Sequence, residues 1–156
     1  MTPDDYIDNL TRIPLFSMFE PAALRMLAFS AETRLLRTGD VLFRRGETSD
    51  GGYVLTVGSI ALVRHDDGRS PSIIVRPWTL IGETALLAQS TRPAAAFARE
   101  PATALKILRP LFHVVLEQHP ATAARVRDFF RRRLLDFVCA VGAESSAAET
   151  DARRLT

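Results

Sequence analysis

The chain has 156 residues, 47% of them hydrophobic and 24% charged, with a formal net charge of +2, which suits one domain with its own core and excludes wholesale disorder. The isoelectric point of about 9.2 reflects a basic set that is all arginine except Lys106, so it is weak grounds for nucleic-acid binding. A lone cysteine, Cys139, excludes an intramolecular disulfide and is expected to be reduced. The opening Met1-Thr2-Pro3-Asp4-Asp5 is unlike a secretory signal, and no apolar run nears the roughly 20 residues of a membrane span; a cytoplasmic protein without a membrane partner is expected.

Two helices are predicted within residues 3–30. Thr2 suits the N-cap, Pro3 the first helical position, and Asp4 and Asp5 the positive end of a helix through Ile7 and Leu10. Pro21 opens the second, in which Leu24, Leu27 and Ala28 form one apolar stripe. From Glu32 the chain changes to short runs of Val, Leu, Ile and Phe punctuated by Gly, Asp, Ser or Pro. These predict strands at 33–37, 41–44, 52–57, 59–65, 72–76, 94–98 and 103–108. Asp66-Asp67-Gly68 is a hairpin turn by its tolerance of positive φ. The expected fold class is mainly β with flanking helices, an antiparallel roll or barrel over 31–109.

Helical periodicity returns in 110–142, first over 110–117 and then in a long helix from Pro120. Its apolar residues are Val126, Phe129, Phe130, Leu134, Leu135, Phe137, Val138 and Val141. A helix lying on a roll needs an apolar face of only about 100°, and this set is wider, so a homodimer through the C-terminal helix is expected. Residues 143–156 read as a polar, disordered tail outside a domain of 1–142.

The chemistry is concentrated in Ile81-Gly82-Glu83-Thr84-Ala85-Leu86, followed after a short interval by Arg92-Pro93-Ala94. Glycine allows close backbone approach, and a helical turn starting at Glu83 aims backbone N–H groups outward. An arginine returning to the same place adds a planar fork for an anion. A glutamate beside an anion site makes sense if it accepts hydrogen bonds from neutral hydroxyls, as a ribose would supply.

Gly-Glu-x-Ala-Leu followed by Arg resembles the phosphate-binding cassette of cyclic-nucleotide-binding domains, such as those of catabolite activator proteins and protein kinase A regulatory subunits. The resemblance extends upstream through Thr38-Gly39-Asp40, Arg45-Gly46-Glu47 and Gly58-Ser59-Ile60. It implies an antiparallel β-roll, double-stranded jelly-roll-like, with N-terminal helices and a long C-terminal helix. It also implies a ligand set of Gly82, Glu83, Thr84, Ala85, Leu86, Arg92, Pro93 and Ala94. Glu83 would take the ribose 2′-hydroxyl and Arg92 the cyclic phosphate, with N–H groups around Ala85 and Leu86 taking its remaining oxygens. Gly39, Gly46 and Gly58 would be turn residues.

The chain departs from the family at Pro93, which offers neither hydroxyl nor N–H, and at Pro77-Trp78-Thr79-Leu80, where a glycine-rich turn is usual. The missing hydroxyl argues against the guanine contact of members selective for cyclic GMP. Cyclic AMP is therefore the expected ligand, cyclic GMP the second choice, and no metal or other cofactor is expected.

The rival expectation is a degenerate fold, with Arg92 and Glu83 merely paired, serving as an interaction module. Trp78 is expected to pack, near the pocket entrance. His65, His113 and His119 lack metal-ligand spacing and are expected as surface or cap residues. The run Arg131-Arg132-Arg133 reads as a solvated face, with Arg125 or Phe129 as candidates to reach the base. Too little chain follows Pro120 for a groove-reading motif, so no direct DNA binding is expected. No nucleophile elbow, phosphate loop or acidic pair suggests an enzyme. The output would pass to an unidentified downstream protein.

Overall fold

The computed structural model describes residues 3–64 and 72–136. The expected hairpin at Asp66-Asp67-Gly68, His65, Cys139, the apolar Phe137, Val138 and Val141, and the tail lie outside the described residues. Helices α1 (Pro3–Leu10) and α2 (Pro21–Ser30) come first, each opening on proline. Eight strands follow: β1 (Glu32–Leu36), β2 (Val41–Phe43), β3 (Gly51–Val57), β4 (Ile60–Val63), β5 (Ile73–Val75), β6 (Thr79–Ile81), β7 (Ala95–Ala98) and β8 (Ala102–Leu108). A short 3₁₀ helix, Glu83–Leu86, stands between β6 and β7. Helix α3 (Arg109–Gln118) leads to α4, helical over 120–136.

The strands form two antiparallel four-stranded sheets, β1-β8-β3-β6 and β2-β7-β4-β5. Side chains alternate along a strand, and β3 uses both faces. Tyr53 and Leu55 enter the roll with Phe43, Ile60, Val75, Ile81 and Ala104. Val54 points the other way, into a second core with Leu105 and Ile107 of β8, Phe16 and Leu24 from the N-terminal segment, and Phe112, Val115 and Val126 of α3 and α4. The helices thus cover the outer face of the first sheet, and the roll keeps a separate interior. Phe19 links the two helical ends of the chain, its ring 5.9 Å from that of Phe112. Thr122 of α4 accepts the Glu20 N–H at 3.1 Å.

Seven strands were expected and eight are present among the described residues. The additional one, β6, is three residues long and follows Pro77, too short for a period-2 signal. Its pairing is supplied by β3, with Tyr53 opposite Ile81 and Leu55 opposite Thr79. The turn into β6 is made by Trp78 at φ +65°, the one non-glycine residue with positive φ among those described. Its N–H donates to the Leu55 carbonyl at 2.6 Å. Its ring meets Tyr6 of α1 edge-on at 5.3 Å, where burial pushes the Tyr6 phenol up to about 12. Trp78 packs, as expected, but on the helix side of the first sheet and not at the mouth of the roll.

Gly39, Gly46 and Gly58 take φ of +88°, +87° and +88°, as turn residues should. His119 is the C-cap residue of α3, 4.0 Å from Glu20. His113 is exposed, its Nε2 3.3 Å from the Leu87 carbonyl. Among the described residues, no helix is long and apolar enough to cross a membrane.

Candidate functional site

β6 ends at Ile81, inside the roll, and Gly82 turns the chain outward at φ +80°, ψ +46°. An L side chain is strained in this left-handed region, and a Cβ here would sit 2.6 Å from Nη1 of Arg92. Glycine is therefore required twice, by the turn and by the guanidinium beside it. The 3₁₀ helix Glu83–Leu86 follows, its Ala85 N–H closed onto the Gly82 carbonyl at 3.1 Å. Leu86 is fully buried in the helix-side core, which anchors the turn from behind.

Arg92 is only 5% exposed. One of its Nη groups donates to the Gly51 carbonyl at 2.7 Å, and its guanidinium carbon lies 4.3 Å from the Phe43 ring centroid and 5.6 Å from that of Tyr53. No carboxylate of the described residues lies within 4.0 Å of it. Burial pulls its pKa below the ordinary arginine value, and Tyr53, Asp50 and Glu47 oppose that shift. Asp50 is itself committed to Lys106 at 2.8 Å. Burial raises the Asp50 carboxyl, but the Lys106 hydrogen bond and charge outweigh it and hold the group below the usual range.

Burying one ion costs several kcal/mol. A charge-assisted hydrogen bond contributes about 1.5–3 kcal/mol and a desolvated cation–π contact about 2. The neighbours of Arg92 can hold the cation but do not neutralise it. Arg92 also lines a cavity within the roll. That cavity, about 250 Å³, is bordered by Gly82, Thr84, Ala85, Pro93 and Ala94 together with Phe43, Leu62, Ile81, Ser90 and Thr91.

Six of the eight expected ligand residues thus line one cavity: Gly82, Thr84, Ala85, Arg92, Pro93 and Ala94. The Leu86 side chain faces the core; the expectation for this residue concerned its backbone N–H. Glu83 stands outside that lining and pairs with Arg133 of α4 at 3.6 Å, not with Arg92. Burial raises the Glu83 pKa and Arg133 opposes the rise. Arg133 also lies over the Phe129 ring, 4.7 Å away. The arginine run is accordingly divided: Arg132 is a surface partner of Asp128 at 3.1 Å, while Arg133 reaches the site. Arg125 and Phe129, the candidates for reaching a base, border a different hollow with Met18 and Asp136.

Sequence reasoning missed the buttress behind the loop. Ser49 and Ser90 exchange three hydrogen bonds: Ser49 N–H to Ser90 O at 2.7 Å, Ser90 N–H to Ser49 Oγ at 3.0 Å, and one between the hydroxyls at 3.1 Å. Arg92 N–H donates to Glu47 O at 2.8 Å. Arg109, first residue of α3, donates from Nε to Ala85 O at 2.9 Å and from Nη2 to Ser49 O at 2.8 Å. It ties the 3₁₀ helix, the β2–β3 loop and α3 together. These residues are far apart in sequence, and only the proline after Arg109 hinted at a helix start there.

The family model described as the cyclic nucleotide-binding domain matches residues 33–119. A cyclic nucleotide-binding-like protein from Brucella abortus is 39% identical, with 72% of this chain and 98% of that one covered and a TM-score of 0.66. The N-terminal domain of a transcriptional regulator from Streptomyces coelicolor is 31% identical over 86% of this chain and 95% of that one, with a TM-score of 0.79. Among curated relatives, lysophospholipase nte1 of Aspergillus fumigatus is 27% identical over 76% of this chain. The chain spans only 8% of that relative's length.

The Gly82→Ala variant is expected to strain the turn by about 1–2 kcal/mol and to push the Arg92 guanidinium from its place. Thermal unfolding should show a midpoint lower by roughly 3–8 °C; an unchanged midpoint would contradict the close approach described.

Proposed function

The chain belongs to the cyclic nucleotide-binding domain family, and from that premise we propose that it is a non-catalytic sensor of cyclic AMP whose output is a movement of α4. The observation that carries the reading is the buried Arg92 guanidinium, held by a carbonyl and two aromatic rings and lining a cavity of about 250 Å³. Arg92 takes the phosphate, and Gly82, Thr84, Ala85 and Ala94 shape the cradle around it. Pro93 contributes its ring and no hydrogen-bond donor. Its missing hydroxyl favours cyclic AMP over cyclic GMP.

Glu83 accepts the ribose 2′-hydroxyl. To do so it must share or release Arg133, so ligand binding and the position of α4 are linked through one carboxylate. A ligand moves α4 only if it binds one position better than the other. Arg109 holds the cradle to α3 while this happens, so the cassette and the start of the helical segment shift together.

A second proposal rests on Leu134 and Leu135, exposed by 63% and 55% on α4. Two large apolar side chains in water at successive positions of α4 favour a homodimer through this helix. A chain that had lost its ligand could retain the same surface as an interaction module. The Leu134→Glu/Leu135→Glu variant should be monomeric by light scattering at concentrations where the wild type is dimeric; a wild type monomeric throughout would remove the dimer.

Thermal unfolding of the wild type and Arg92→Ala with cyclic AMP, cyclic GMP and linear AMP tests the sensor. A ligand at a hundredfold its dissociation constant adds about 2.7 kcal/mol, a rise of several degrees, expected in the wild type alone and only with a cyclic nucleotide. No rise at millimolar ligand would leave the interaction module as the function.

Affinity should also depend on pH. A hydroxyl donating to Glu83 favours the ionised carboxylate, so binding releases a proton wherever the carboxyl is partly protonated in the free protein. Affinity should fall as the pH is lowered through the raised Glu83 titration and level off above it. Glu83→Gln should bind more weakly without this dependence; calorimetric titrations at several pH values would reveal an unchanged slope if another group were responsible.

A further inference from the structure

The four strands of the second sheet read Val-Leu-Phe in β2, Ile-Ala-Leu-Val in β4, Ile-Ile-Val in β5 and Ala-Ala-Phe-Ala in β7, without one polar residue. An antiparallel sheet with one face in the core and one in water alternates apolar and polar residues. Strands apolar at every position belong to sheets covered on both faces. The inward half is accounted for by Phe43, Ile60, Val75, Ala96 and Ala98 in the roll core.

The outward half is only partly covered: Ala61 is buried, and Phe97 and Ile74 are half-buried. Register sets Val41 opposite Phe97, Phe97 opposite Ala61 and Ala61 opposite Ile74, one apolar row across all four strands. Val41 at its edge is 45% exposed. Helices α1, α2 and α3 pack chiefly on one another, on β8 and on the 3₁₀ turn, and Val126 seats α4 in the same helix-side core, so the main helical layer of the described residues lies on the other sheet.

Its border is basic. Val75 and Ala98 both pair with Ile60 and face inward, so the residues just past them, Arg76 and Arg99, stand at outward positions at the same end of the sheet. Arg44, next after the inward Phe43, stands at the other end. All three are exposed and none makes an ion pair among the described residues. Among the described residues flanking these strands, Asp40 accepts the Arg37 N–H at 2.8 Å and Glu100 the Ser59 hydroxyl at 3.0 Å, so both carboxylates point to partners of their own and neither pairs with Arg76, Arg99 or Arg44.

We propose that this outward face is a docking surface for an amphipathic helix of a partner protein, with its apolar stripe along the Val41–Ile74 row and acidic residues toward Arg76, Arg99 and Arg44. Three interstrand spacings of about 4.8 Å make a row of roughly 14 Å, the length of about ten helical residues. A helix on an apolar sheet is the ordinary two-layer solution, and the first sheet of this same roll already uses it. A second copy of the chain is the poorer occupant, since stacking this face on itself sets arginine ends against arginine ends.

The test uses the full chain and a designed fourteen-residue helical peptide with leucines at positions i, i+3, i+4 and i+7 and glutamates on both flanks. Backbone amide shifts should change on β2, β4, β5 and β7 and not on β1 or β8. Arg76→Glu/Arg99→Glu should weaken binding at least tenfold and should recover it when the peptide carries lysine in place of glutamate. Val41→Glu should weaken it similarly, with the unperturbed amide spectrum as the check that either variant folds. The proposal is overturned if the peptide leaves these amides unchanged or maps to α4, or if the lysine peptide binds the wild type equally well. It is likewise overturned if phosphatidylserine vesicles shift these amides and the peptide does not, or if Val41→Glu abolishes a dimer formed through this face.

Discussion

A cation buried inside a β-roll is the constraint around which the rest of the domain is arranged. Arg92 sits where a carboxylate would be the simplest partner, and the chain supplies a carbonyl and two aromatic faces in its place. Each neighbour is fixed by that choice. Gly82 has no side chain because the guanidinium occupies the space. Phe43 and Tyr53 lie on different sheets, so the cation also joins the two halves of the roll. The nearest acidic group on the following loop is withdrawn by Lys106. The arrangement leaves the guanidinium without a carboxylate partner among the described residues.

The second constraint is mechanical. The pair Ser49–Ser90 and Arg109 brace the loop that carries Arg92 and the 3₁₀ turn from behind. Arg109 reaches two separate loops with one planar fork, which a lysine could not do with the same geometry. Because it is also the first residue of α3, the stiffening of the cradle and the placement of the helical segment are one device.

Much of this was legible in the sequence, for identifiable reasons. Helices α1, α2 and α3 each carry a proline at their start, and the longer strands carry alternating or continuous apolar runs, so local rules located them. The cassette was legible because Gly82, Glu83, Ala85, Leu86 and Arg92 stand at the spacing that resembles the family's pattern. β6 was not, since three residues after a proline carry no period. Neither was Arg109, whose partners are brought to it only by folding. The Glu83–Arg133 pair was hidden for a different reason: a run of three arginines on a helix reads as a solvated face, and only its rotation on the roll selects the one that meets Glu83. The placement of Trp78 followed the packing expectation in kind but not in location, because an unseen strand shifted the turn to the other side of the sheet.

That last displacement reaches into how this protein is best observed. The only indole of the chain is braced against the ring of Tyr6 on the first helix, with a sheet between it and the roll interior. Its emission therefore reports on the seating of the amino-terminal helix and not on occupancy of the cavity. A flat fluorescence titration would be consistent with tight binding, and a change in emission would mean that the event in the roll had been felt on the far side of the sheet.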